Sequence, residues 1–495
     1  MSWIVILVAV FILLLLAKNW IQSCTERALP PGPSLVNSFK IMMGFIWRDD
    51  VINVADKLAS KYGDIFVIRF LGHNMVFMNN SRVIRKVYSA AGYRDKTNDR
   101  APSFLRAYLY RGGKDIAFCD YSDFVMKLRK IVHNVARLYG DGIREFEEMV
   151  SKQLRDLEEK LEKGVGQEKF DLMTELHESV IKTVHIFITN QAPDEEVVSV
   201  VSDFNSSFNK SLTVNKNIIL GLFPWLKYLP GANRRLVQEL DTNSQRLIEF
   251  YLNPKAREHV KGNGGLIDTL LTEQAKDPQL TDEFLQGVIM DAVAGGYIST
   301  AGALCGFFLL MLHYPEVQHR IQEELDEKVK GRQPSLDDRP TLHYTNATVL
   351  EVFRYIRHVP LTLPHQSKED IEIEGYRIPA NSPIIANLWT SFRGSNDWGP
   401  DDNKFKPERF LDNEWKLLPV DHPLRQQWIP FGIGKRNCVG ESFAKSRLFL
   451  YVTTLLQKFE FQTGSNKLAS EDSAYWDNNS ALQPPFINCK IVKRK

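Results

Sequence analysis

The stretch FGIGKRNCVGESFAK, Phe431 to Lys445, sets one cysteine among glycines and an arginine, just before a run with helical spacing. A lone cysteine is most often a small core hydrophobe. Cys438 is not alone. Gly432 and Gly434 admit backbone conformations closed to other residues, or a close approach to something flat, and Gly440 admits close packing two residues later. Arg436 presents a rigid fork suited to a carboxylate. A helix that begins just beyond Cys438 aims unpaired amides and the positive end of its dipole at a thiolate.

A metal-binding thiolate, close-approach glycines and an arginine for a cofactor acid together suit haem. The motif Phe431-Gly432-x-Gly434-x-Arg436-x-Cys438-x-Gly440 resembles the haem-binding signature of the cytochrome P-450 family. The resemblance implies haem b with Cys438 as the axial iron ligand, Arg436 as a propionate partner, and Phe431, Gly432 and Gly440 as parts of the cofactor seat. Electron donation from the sulfur then favours O–O cleavage.

Working outward, Glu351-Val-Phe-Arg354 places a carboxylate and a guanidinium on one helical face. Phe405-Lys-Pro407-Glu-Arg409-Phe410 carries a second arginine in a Pro-bounded meander. On a surface such pairs contribute little. The resemblance makes Glu351, Arg354 and Arg409 a buried triad that fixes the meander beneath the haem. Val359-Pro-Leu-Thr-Leu-Pro364-His365 resembles the segment that lines the substrate pocket and ends on a propionate donor, here His365; an ordinary loop histidine is the plain alternative. Similarity runs from Leu29 to about Val492 in the order of the microsomal members, and PHQSKEDIEIEGYRIPANSPIIANLW looks closest to the animal drug- and steroid-metabolising branch.

Two segments depart from the family pattern. Thr281 to Leu312 reads as one long helix, capped by Thr281 or Asp282 and stopped before Pro315. Within it lies AVAGGYISTAG, Ala292 to Gly302, whose paired glycines cost about 1 kcal/mol each against alanine and so point to room for a ligand or a kink. Family members usually carry an acid followed by threonine there, to deliver protons during oxygen activation. Ile298 and Ser299 hold those places, so the hydroxyl survives in Ser299, with Thr300 beside it, and the carboxylate is missing. Likewise Tyr121 to Lys130 resembles the Trp-x-x-x-Arg propionate-binding helix, with Val125 in the tryptophan's place and Arg129 retained. Lys127, Lys130, Lys435 and Lys445 form a candidate basic face for an acidic reductase; a solvated helix face is the alternative.

Elsewhere, Asp64 to Val83 alternates apolar and polar residues around Gly72-His73-Asn74, a hairpin signal. Phe146 to Gln274 reads as helices interrupted by Phe223-Pro224-Trp225 and Tyr228-Leu229-Pro230-Gly231. Further helices are expected at about Asn346 to Arg357 and Glu441 to Leu456, with short strands in DIEIEGYRIPANSPIIANL. The fold class is therefore mainly α with a small β region, the cytochrome P-450 fold by resemblance. The 495-residue length alone suggests two or three domains. The resemblance instead implies a membrane anchor (1–22), a proline-rich hinge (23–34) and one catalytic domain (35–495).

Trp3 to Ala17 is an unbroken apolar run extended by Trp20 and Ile21, about one bilayer's length of helix. No basic residue precedes it and no small-residue cleavage site follows, which favours an uncleaved anchor over a signal peptide. Lys18 and Arg27 follow the run, placing the remainder in the cytosol. Pro30-Pro31-Gly32-Pro33 reads as a stiff spacer. Lys and Arg number 62 against 60 acids, which argues against nucleic-acid binding. Five scattered cysteines without Cys-x-x-Cys argue against a disulfide framework and a structural zinc site. A reducing compartment makes the Asn79-Asn80-Ser81 sequon accidental.

The function expected is that of a single-pass endoplasmic reticulum monooxygenase, oxygenating a lipophilic small molecule with dioxygen and electrons from NADPH. Those electrons would arrive through NADPH-cytochrome P-450 reductase, with cytochrome b5 a second candidate donor. By resemblance, residues Phe104 to Leu109, Phe204 to Phe208, Val293 to Ile298, Val359 to Leu363 and Ala481-Leu482 are the expected pocket lining. The alternative suggested by Ile298 is a haem-thiolate isomerase or dehydratase that does not activate dioxygen; a haem-binding protein without turnover is a third.

Overall fold

The computed structural model describes residues 29–48, 50–138, 144–465, 467–476 and 481–494. The expected anchor lies outside them. Helices dominate and three small sheets sit at the margins, in agreement with a mainly α fold. One large apolar core unites most of the helices with the C-terminal strand Asn488–Lys493, and a small second core lies between Leu35–Arg48, Val51–Tyr62 and the first hairpin.

Asp282–His313 forms a single helix of 32 residues, about 48 Å long. It is apolar enough to cross a membrane but is buried along most of its length, which makes it the core helix. Helices Leu172–Thr189, Ala232–Leu252, His343–Ile356 and Glu441–Lys458 pack against it. The helical stretch from 146 to 274 is broken where the sequence indicates, at Phe223 and at Gly231 (φ 143°). A short strand missed there, Phe170–Asp171, pairs with the C-terminal strand Asn488–Lys493.

The five-stranded sheet runs in the order Ile65–Phe70, His73–Met78, Pro383–Ala386, His365–Gln366, Asp99–Arg100. Its hairpin turns at Leu71 (φ 47°) and Gly72 (φ 81°), one residue earlier than the sequence suggests, so His73 already pairs with Phe70. Two successive positive φ angles match the twist of the strands. At the other edge Arg100 pairs with His365. In the described part of the expected hinge, Pro31 O accepts from Val67 N–H (3.0 Å), and a Cβ on Gly32 would lie 2.0 Å from Val67 O. Pro31 and Gly32 therefore lie against the strand Ile65–Phe70. Asn79 is buried and bonded to Gly63 O and Asn387, so the sequon offers no site.

Candidate active site

The cysteine loop is a tight reversal. Gly432 (φ 71°) and Gly434 (φ 82°) turn the chain, and Cys438 N–H donates back to Phe431 O (2.8 Å). A Cβ on Gly434 would sit 2.0 Å from Tyr88 O, so only glycine allows the loop to lie on the helix Ser81–Ser89. Phe431 packs against Phe353 (5.3 Å) and Trp428 (6.0 Å) and under the Lys445 ammonium. Gly440 precedes the helix Glu441–Lys458, with nothing within 4 Å of where its Cβ would stand.

Cys438 lies deep among protein atoms, yet its surface is open, so it faces an internal space. Burial raises its thiol pKa above the ordinary value; the Gly440 N–H, Arg129 and Lys445 pull the other way and are outweighed. The helix terminus alone therefore does not make the thiolate, and a bound metal would have to.

Three guanidiniums converge beside the loop. Arg436 is buried, donating to Asn98 O (3.3 Å), Ile116 O (3.4 Å) and Ala117 O (3.1 Å), while its Nε has no partner. Arg129 is buried and reaches Asn437 O. Arg100, which the motif analysis missed, donates to Ala117 O (2.9 Å) and Leu363 O (2.8 Å). Burial first, and repulsion from Arg436 second, lowers Arg100 to about 9 and Arg129 to about 10. His365 is buried and stacked on Tyr88 (3.9 Å), with Nδ1 bonded to Thr97 O (2.6 Å). Burial, then Arg100, holds it neutral. With Nδ1–H donating to Thr97, its Nε2 carries a lone pair, so the arginines are the stronger donors for an acid.

Nearby acids do not neutralise this cluster. Asp291 on the central helix accepts from Ile116 N–H (2.9 Å) and Ala117 N–H (3.1 Å), and Asp115 from Phe118 N–H (2.7 Å). Burial raises both, Asp115 to about 6. Cationic excess, an unpartnered Arg436 Nε and an open thiol on a glycine turn fit a flat cofactor carrying two carboxylates and a metal. Val125, in the tryptophan's place, is buried in the core.

On the central helix Ser299 Oγ donates to Gly295 O (2.7 Å), and Gly295 has nothing within 4 Å of a Cβ. These two residues share an open side, while Ile298 is buried. Thr300 is not brought to that side: its buried hydroxyl accepts from Arg447 Nη2 (2.7 Å). The expected meander lock is present. Arg354 Nε and Nη2 each donate to Glu351 at 2.7 Å, both side chains being fully buried, and Arg354 also holds Phe392 O, Asp402 O and Lys404 O. Arg409 stands 3.5 Å from Glu351 and binds Asp401 more closely (2.7 Å to its carbonyl), an acid the motif analysis missed.

A cavity of about 290 Å³ opens between residues 108–114, the helix Ala232–Leu252 and the start of the central helix. It takes Tyr108 and Leu109 from the expected apolar lining but adds Arg111, Lys114, Asp241 and Glu283, so this space mixes charged and apolar groups. The basic face is thinner than expected: Lys127 pairs with Asp277 (2.9 Å), Lys435 with Asp95 (2.7 Å) and Lys445 with Glu441.

The cytochrome P450 family model matches residues 30–485. The chain is 32% identical to a steroid 17-alpha-hydroxylase/17,20 lyase of Rana dybowskii, over 82% of this chain and 79% of that protein. To cytochrome P450 2D27 of Mesocricetus auratus it is 27% identical, over 88% of each. Among solved structures, a zebra fish cytochrome P450 with progesterone superposes with a TM-score of 0.75 at 26% identity, covering 90% of this chain and 99% of that one. The matched span contains the cysteine loop, the arginine cluster and the central helix, and the chain belongs to the cytochrome P450 family of haem-thiolate monooxygenases.

Proposed function

We propose that the protein is a membrane-attached monooxygenase that oxygenates a lipophilic, steroid-class molecule, with dioxygen as oxidant and NADPH-derived electrons delivered by a reductase. The observation that carries this is the open Cys438 thiol on its glycine turn, beside three buried guanidiniums that lack a full set of counter-ions. Cys438 is assigned as the axial ligand. Arg100, Arg129 and Arg436 hold the propionates, with His365 a weaker partner. Bound haem supplies the centre at which dioxygen is reduced, one oxygen atom entering the substrate and the other leaving as water.

The protein's own part is orientation and proton handling. Ser299 Oγ–H, resting on Gly295 O, is the hydroxyl on the open side of the central helix, and it relays protons from ordered water where the usual acid is replaced by Ile298. Thr300, turned towards Arg447, has no such role. Glu351, Arg354 and Arg409 hold the meander and take no part in the chemistry. The relatives' names, steroid hydroxylase/lyase and a P450 solved with progesterone, support a steroid-class substrate.

Attachment to the endoplasmic reticulum membrane, with the catalytic domain cytosolic, is supported by the apolar run at 3–17 and by an exposed apolar surface. That surface comprises Phe223, Trp225, Tyr228 and Leu229, near the first helix, which exposes Val36 and Phe39. The isomerase or dehydratase alternative is not favoured, since Ser299 keeps a hydroxyl on the open side and one named relative is a steroid 17-alpha-hydroxylase/17,20 lyase. Microsomes containing this chain and a reductase, given progesterone, should yield a product with one added oxygen atom only when NADPH and dioxygen are both present. Conversion of a peroxide without NADPH, and no oxygenated product with it, would overturn the proposal.

A further inference from the structure

The helix that follows Cys438 sends one side chain back to the central helix. Arg447 is 1% exposed, and its Nη2 donates to both Gly296 O (2.8 Å) and Thr300 Oγ1 (2.7 Å). Its Nη1 donates to Thr183 Oγ1 (3.2 Å) on the helix Leu172–Thr189, and the Phe443 ring covers the guanidinium at 4.0 Å. No carboxylate pairs with it among the described residues, and its Nε has no partner. A buried cation without a counter-ion is unfavourable unless its donors are well used. Here they converge on one turn of the central helix and on the helix behind it.

That turn is the weak point of the central helix. Two adjacent glycines in a helix interior lower its stability, and no side chain braces Gly295 on its open side. Between the two atoms that Arg447 grips, Gly296 O and Thr300 Oγ1, the chain carries Ser299, whose Oγ bonds Gly295 O on the open side. A lysine ammonium would keep the charge but not the planar fork that spans the turn.

We infer that Arg447 is a positioning residue for oxygen activation: it clamps the glycine turn from behind, so that the Ser299 hydroxyl is held on the open face. Thr300 is the anchor of that clamp. The chemical consequence rests on the monooxygenase reading; the clamp itself does not.

Amide hydrogen exchange, followed by mass spectrometry on the haem-loaded protein, tests the clamp without turnover. In R447Q the segment 293–301 should exchange roughly tenfold faster, with segments 284–290 and 304–311 unchanged. Unchanged protection at 293–301, or equal acceleration along the whole helix, would overturn the inference. T300V removes one anchor and leaves the charge; it should show the same local pattern more weakly, and it covers the case in which R447Q does not fold. The second readout is hydrogen peroxide released per NADPH, since an uncoupled cycle passes two electrons and two protons to dioxygen and forms no oxygenated product. R447Q and S299A should each raise the peroxide fraction about fivefold, and the double variant should release no more than S299A alone. Additive effects would overturn action through Ser299. If exchange changes as expected but the wild-type protein consumes no NADPH, the monooxygenase reading fails and the clamp stands.

Discussion

Replacing Arg100 by methionine tests the cofactor seat at the residue the motifs did not reveal. Arg100 holds Ala117 O and Leu363 O, pairs across the sheet with His365, and lies close enough to Arg436 for repulsion to help lower its pKa to about 9. Burial is the larger cause of that depression and Arg436 the second, and the neighbouring protein groups do not offset them. A cofactor carboxylate completes the compensation, and losing one charge-assisted hydrogen bond to it costs about 1.5 to 3 kcal/mol. Haem should then leave about 10- to 150-fold faster. In the apoprotein the same change relieves repulsion but orphans two carbonyls, so its melting midpoint should move little while that of the loaded protein falls. Transfer of haem to excess apomyoglobin, followed by absorbance, gives the rate. H365Q is the internal comparison: a neutral ring bonded to Thr97 O has less to lose, so its effect should be smaller. R100M that retains haem as long as wild type, or H365Q that loses it faster than R100M, would refute the assignment of the arginines as the principal donors.

Other perturbations follow from the same geometry. E351Q leaves Arg354 buried without its acid and should cost about 3 to 5 kcal/mol, a fall of about 3 to 5 °C in a thermal melt for a chain of this size. G295A should stabilise the central helix by about 1 kcal/mol, because its methyl meets nothing, yet weaken the spectral shift on steroid binding because the methyl enters the open side. G434A should fail to load haem, since its Cβ would lie 2.0 Å from Tyr88 O at a positive φ; normal loading by absorbance would contradict this. Asp115 binds its proton more tightly folded than unfolded, with a pKa of about 6 against an ordinary 3.8. Its burial therefore destabilises the fold increasingly as pH rises through the range between the two; D115N should flatten urea-determined stability across that range, and an unchanged pH slope would contradict this.

What the sequence disclosed were the features encoded locally. Glycine spacing around Cys438, the i, i+3 pair of Glu351 and Arg354 and the long apolar run of the central helix are short-range signals, and the structure realises each. Arg100 was hidden because only the pairing of Asp99–Arg100 with His365–Gln366, distant in the chain, brings it to the seat. Asp401 was hidden for the same reason, lying in an irregular meander with no periodicity. Thr300 and Ser299 are adjacent in sequence, but a helical step of about 100° turns one towards Arg447 and leaves the other on the open side. Adjacency could not show which. The lysine face is thinner than its composition suggests because two acids far away in sequence, Asp277 and Asp95, fold against Lys127 and Lys435, while Glu441 pairs with Lys445 one helical turn away.

The central claim is the bond between Cys438 sulfur and iron, and the spectrum of the reduced, carbon-monoxide-bound protein tests it most directly. Wild-type protein should give the strongly red-shifted absorbance of thiolate ligation, and C438A should lose it. A red-shifted band that survives in C438A, or a wild-type protein that binds no haem, would contradict the account.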